Sequence, residues 1–104
     1  MVSGLRLRQF KAMLLDEVAE ADTIREIEDF ADWLCDIIVY CASEARRHGL
    51  PTEQILNVIM DSNMSKLGAD GKPIINPDTG KVEKGPNYWR PEPAIRKLLM
   101  EVSE

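Results

Sequence analysis

A chain of 104 residues in which 13 Lys and Arg face 18 Asp and Glu carries a net charge of −5, which argues against a general attraction to nucleic-acid backbones. Its length suits one domain over residues 1–104, and a chain this short gains much from association with copies of itself. No apolar run approaches the roughly 20 residues that cross a bilayer, and the opening MVSGLRLRQF lacks the apolar stretch and cleavage site of a secretion signal; a cytoplasmic protein with neither membrane nor nucleic-acid partners is expected.

From Leu5 to Ala21 the apolar residues Leu7, Phe10, Leu14, Val18 and Ala21 recur at steps of three and four, the period of a helix with one buried stripe. The following ADTIREIE offers a break, because Asp22 and Thr23 are good N-cap types and Glu26 stands three residues beyond Thr23, at capping-box spacing. A second helix of about 25 residues is expected from there. Ile27, Phe30, Leu34, Ile38, Cys41 and Ala45 form its stripe, Arg46, Arg47 and His48 suit the dipole in its last turn, and Gly49 suits a left-handed C-cap. The two cysteines, Cys35 and Cys41, have neither CxxC spacing nor a neighbouring His, and are read as reduced, buried thiols.

Thr52 is read as the cap of a third helix whose apolar face holds Ile55, Leu56, Ile59, Met60, Met64 and Leu67, ending near Gly68. The helical period then stops, and turn chemistry at Asp70-Gly71, Pro77-Asp78, Gly80 and Gly85-Pro86 marks a loop over 69–91. Within it, KPIIN and KVEK flank PDTG and are suited to pair as a short hairpin. EPAIRKLLMEV closes the chain as a last helix with Pro93 in its first turn. The expected class is all-α: a helical bundle completed by oligomerisation, with one long Gly/Pro-rich loop before the C-terminal helix.

Asp29, Asp32 and Asp36 share one face of the second helix, opposite the Ile27/Leu34/Cys41 stripe. The residues that continue that face, Val39, Tyr40 and Ser43, are not those of a solvated surface, and IIVYCA is apolar nearly all round, as in a helix covered on both sides. The first helix contributes Asp16, Glu17 and Glu20, with Glu17 close to its apolar stripe. If the two helices pack antiparallel, these clusters lie at one end of the pair, an oxygen-only donor set with no matching His or Cys, suited to Mg²⁺ or Mn²⁺. On periodicity alone the same acids also describe a solvated face.

These residues resemble the all-α nucleoside triphosphate pyrophosphohydrolases, the MazG-like and phosphoribosyl-ATP pyrophosphohydrolase-like group, and within it the small phage-type members. LLDEVAEA looks like the group's EExxE element, DWLCDIIVYCASEARRHGL like its second acidic element, and NMSK and KGPNY like the later elements of that subgroup; the resemblance covers roughly residues 7–99. Two positions depart from the pattern. Trp33 stands where an ExxD element ending at Asp36 would place Glu, leaving Asp32 as the natural substitute, and Asp16 stands where a first Glu is common.

The resemblance implies Mg²⁺-dependent hydrolysis of a (deoxy)nucleoside triphosphate to the monophosphate and pyrophosphate by a homodimer or homotetramer. The implied metal ligands are Glu17, Glu20, Asp32 and Asp36, with Asp16 and Asp29 secondary. Glu17 is the expected proton acceptor and Lys66 is placed with it among the catalytic residues; Asn63, Lys66, Lys84 and Tyr88 are assigned to substrate. Gly85 is expected to let the backbone approach a phosphate or a base, and Tyr88 and Trp89 either to stack on a base or to pack the loop. Lys72 and Lys81 read as turn lysines. Two other functions compete: a catalytically impaired nucleotide-binding or regulatory module, favoured by Trp33, and a structural helical oligomerisation domain.

Overall fold

The first helix opens where Ser3 offers its hydroxyl oxygen to the backbone N–H of Arg6 at 3.0 Å, an N-cap that starts α1, Gly4–Ala19. The computed structural model describes residues 2–103, with side chains through Glu101. After Ala19 the chain tightens into a single 3-10 turn, Glu20–Thr23. Here the expected capping box shifts by one element: the Thr23 hydroxyl donates back to the Glu20 carbonyl at 2.7 Å, so it is spent closing this turn. The second helix, α2, Ile27–Arg47, is capped instead by Glu26, paired reciprocally with Asp29, whose carboxylate accepts the Glu26 N–H at 3.1 Å and the Arg25 N–H at 3.2 Å. The helix ends as its sequence indicates, with His48 as C-cap and Gly49 at φ +67°.

The chain divides into two compact units, residues 1–50 and 51–104. In the first, α1 and α2 run antiparallel: Arg6 near the start of α1 bonds Glu44 near the end of α2, and Glu17 near the end of α1 receives a bond from Trp33 near the start of α2. In the second, α3, Thr52–Met64, packs with α4, Glu92–Ser103. Thr52 is the first helical residue rather than the cap, a position taken by Pro51, and α3 stops four residues short of Gly68. Between α3 and α4 the expected hairpin is present. β1, Ile74–Ile75, pairs antiparallel with β2, Val82–Glu83, with Ile74 opposite Glu83 and Ile75 opposite Val82. Its turn is tied by Asn76, whose side-chain oxygen accepts the N–H groups of Asp78 and Thr79, and by Gly80 at φ +72°. The fold is all-α, this ribbon being the only sheet among the described residues, and no described helix is long and apolar enough to cross a membrane.

Packing is thinner than the apolar patterns suggest. Among the described residues no hydrophobic side chain is fully buried, and on α2 Ile27, Ile38 and Val39 are 71%, 65% and 60% exposed. Cys35 and Cys41 are reduced but exposed, which corrects the expectation of buried thiols. The physical reason is geometric: in a two-helix unit α1 covers one side of α2, whereas IIVYCA presents apolar groups on more than one side.

Candidate functional site

The antiparallel pairing of α1 and α2 brings the C-terminal turn of one to the N-terminal turns of the other, and there the carboxylates meet. Glu20, Asp29, Asp32 and Asp36 line a cavity of about 160 Å³ together with Thr23, Ile24 and Trp33. Glu17 stands beside them, partly withdrawn from water. Its carboxyl is held above the ordinary range, first by that loss of hydration, then by the charges of Glu20 and Asp36, a hydrogen bond with Glu20, and the charge of Asp32. Four anions thus act on one another across two helices. Asp16 is exposed and is not among the groups that act on Glu17 or line the cavity. Asp29 lines the cavity but already serves as a capping acceptor.

Trp33, the position at which an acid is absent, has a role that the sequence did not disclose. Its indole N–H donates to the backbone carbonyl of Glu17 at 2.9 Å, and its ring packs with Phe30 at 6.2 Å between centroids. The bond ties the turn that carries Glu17 to α2, so the side chain that replaces a carboxylate positions another one.

The donor set is all carboxylate oxygen, the type that hard divalent cations prefer, and the Glu17 carboxyl is raised by loss of hydration first and by its acidic neighbours second. These residues fit Mg²⁺ or Mn²⁺ in chemistry. Among the described residues, no three Asp, Glu, His or Cys groups are gathered closely enough to form a finished cage.

At the other end of the same helices the charges are matched. Glu44 accepts from Arg6 through both guanidinium Nε, at 3.0 Å, and a terminal nitrogen, and it meets His48 Nε2 at 2.7 Å. The Arg6 hydrogen bond foremost, with His48 assisting against the cost of burial, lowers the Glu44 carboxyl to about 2.

The second unit holds the candidate phosphate ligands. Lys66 Nζ lies 6.0 Å and Lys84 Nζ 5.0 Å from the centroid of the Tyr88 ring, so three of the four predicted substrate residues converge. Asn63 is exposed and takes no part in that contact. The close approach made possible by Gly85 in this structure is to the chain itself. Its N–H donates to the Lys66 carbonyl at 2.7 Å, and a Cβ there would sit 2.3 Å from the Leu67 carbonyl oxygen. Sequence reasoning missed the serines that complete this seam. Ser62, 1% exposed, donates its hydroxyl to the Trp89 carbonyl at 2.8 Å; Ser65 Oγ donates to the Ser62 carbonyl at 2.6 Å and accepts the Trp89 N–H at 3.1 Å. The i, i+3 spacing of two serines at a helix end was the available signal.

No family model and no curated protein matches the chain. Among solved structures it is similar to that of a "putative NTP pyrophosphohydrolase" from Exiguobacterium sp. 255-15, with a TM-score of 0.68 and 26% identity over 93% of this chain. The chain spans 62% of the length of that protein. The likeness supports the resemblance at the level of the superfamily.

Proposed function

We propose that this chain is a nucleoside triphosphate pyrophosphohydrolase of the MazG-like, phage-type subgroup, acting as one domain that is cytoplasmic and assembled as a homodimer or homotetramer. The reaction adds water across one phosphoric anhydride bond of a (deoxy)nucleoside triphosphate and releases the monophosphate and pyrophosphate. The observation that carries this reading is the carboxylate-lined cavity of Glu20, Asp29, Asp32 and Asp36 with Glu17 beside it, whose carboxyl is pushed up first by loss of hydration and then by Glu20, Asp36 and Asp32.

Glu17, Glu20, Asp32 and Asp36 would hold Mg²⁺ or Mn²⁺, with Asp16 and Asp29 in reserve. When bound, such a cation neutralises phosphate charge and acidifies water. Glu17, where it is not fully used in holding the cation, is the carboxylate assigned to accept the proton of the attacking water. Trp33 keeps Glu17 in register through the backbone bond. Lys66 and Lys84 bind the anionic substrate, an arrangement supported by two ammonium groups that have no salt bridge among the described residues. The apolar surface of α2 supports assembly, because exposed apolar area of that extent is commonly covered by a partner.

Incubation of the purified protein with a panel of NTPs and dNTPs and Mg²⁺, with product identification, tests the proposal. Monophosphate and pyrophosphate in equal amounts are expected; no turnover of any nucleotide would overturn it.

A further inference from the structure

Lys66 and Lys84, eighteen residues apart in sequence, each bring an ammonium nitrogen over the Tyr88 ring, at 6.0 Å and 5.0 Å from its centroid. Their backbones have little freedom to separate. The Gly85 N–H is bonded to the Lys66 carbonyl at 2.7 Å, and the packing of Gly85 against Lys66 and Leu67 leaves no room for a side chain. Beyond it, the Tyr88 N–H reaches the Gly85 carbonyl at 3.3 Å, and Trp89 is bonded on both its N–H and carbonyl sides to Ser65 and Ser62 at the end of α3. The backbone therefore brings both lysines to the Tyr88 ring, whose negative face attracts each ammonium group. A ring engaged by two ammonium groups is poorly available to stack on a base.

We infer that Tyr88 is a positioning residue that holds Lys66 and Lys84 as a paired cation for a polyphosphate chain, and is not the platform for the nucleotide base. The inference rests on the reading of this unit as phosphate-binding and deepens it: the ligand class recognised is an anion with at least two linked phosphates, because a lone phosphate meets the two charges less completely.

The test uses the full chain, tripolyphosphate as probe and chelator in place of divalent metal, with affinity measured by calorimetry. Wild type is expected to bind tripolyphosphate more tightly than inorganic phosphate. Tyr88→Phe, which keeps the ring, should match wild type, while Tyr88→Leu should lose about fivefold. In steady-state assays Tyr88→Leu should raise KM, and the lysine ε-methylene NMR signals, expected to be ring-shifted in wild type and Tyr88→Phe, should lie at ordinary positions in Tyr88→Leu. An unchanged tripolyphosphate affinity in Tyr88→Leu would overturn the inference, as would an equal loss in Tyr88→Phe, or loss of binding to an uncharged nucleoside with tripolyphosphate binding retained. The two readings fail separately: absence of hydrolysis strikes the proposed activity, while the calorimetric and NMR results judge the lysine pair whether or not any nucleotide is turned over.

Discussion

The two ends of the α1–α2 pair carry carboxylates in opposite circumstances. Glu44 is met by Arg6 and His48 and its carboxyl is lowered to about 2, whereas the Glu17 carboxyl is raised, first by loss of hydration and then by Glu20, Asp36 and Asp32. Asp32 and Glu44 are separated by about 18 Å along one helix, so the difference lies in neighbours and not in the element. The lesson concerns purpose. A carboxylate supplied with its own cation closes a structure, while a group of carboxylates left uncompensated beside a cavity leaves an electrostatic demand that a ligand can meet. Activity, metal response and stability should therefore divide between the two ends.

The largest division is expected in turnover. Glu17→Gln or Asp36→Asn should lower kcat by at least about 100-fold with helical content retained, since each removes a charge from the proposed catalytic end. Glu44→Gln should leave kcat within about threefold of wild type, as it alters only the closed end. A nucleotide assay on circular-dichroism-checked protein reads both, and retained activity in both Glu17→Gln and Asp36→Asn would refute the metal assignment. Melting in saturating Mg²⁺ is the next test. Wild type and Glu44→Gln should rise by several degrees, and Asp32→Asn/Asp36→Asn should not respond.

Without metal the two ends should respond to neutralisation with opposite signs. A carboxyl whose folded pKa is raised opposes folding when it is ionised, so in chelator at neutral pH Glu17→Gln should melt a few degrees above wild type. Glu44→Gln, which weakens a tie to Arg6 and His48, should melt a few degrees below it. Scanning calorimetry at one pH is sufficient, and shifts of the same sign would show that the ends are not distinct.

Much of this arrangement was legible in the residues. Helix periods, the Gly49 terminus, the hairpin around PDTG and the i, i+3 and i+7 spacing of Asp29, Asp32 and Asp36 are local properties, written at short range. What escaped reading depends on competition or on distance. Asp22 and Thr23 were the expected caps with Glu26 as the box partner, whereas the Thr23 hydroxyl bonds the Glu20 carbonyl and Glu26 itself becomes the cap. The Arg6–Glu44 tie spans 38 residues and the Ser62–Trp89 bond spans 27, separations over which no periodicity speaks. Gly85 was read correctly as a place of close approach, but the partner, the Leu67 carbonyl, could be known only from the folded chain. Trp33 reads in sequence as a missing acid, and in three dimensions as the strut under Glu17.

The smallest expected effect is the acid response of the closed end. Glu44 has its folded carboxyl lowered from 4.5 to about 2, so the unfolded chain takes up this proton first as pH falls. The stability it contributes is present in full above the unfolded value and declines as pH drops from about 4.5 toward about 2. The gap in melting temperature between wild type and Glu44→Gln should therefore shrink as pH falls from about 4.5 toward about 2. Acidification acts in the opposite sense at Glu17, where protonation relieves the crowding, but that change is common to both proteins and cancels in the difference. A gap that persists undiminished near pH 2 would mean that the tie at the closed end owes its strength to packing of Arg6 and not to the charge on Glu44.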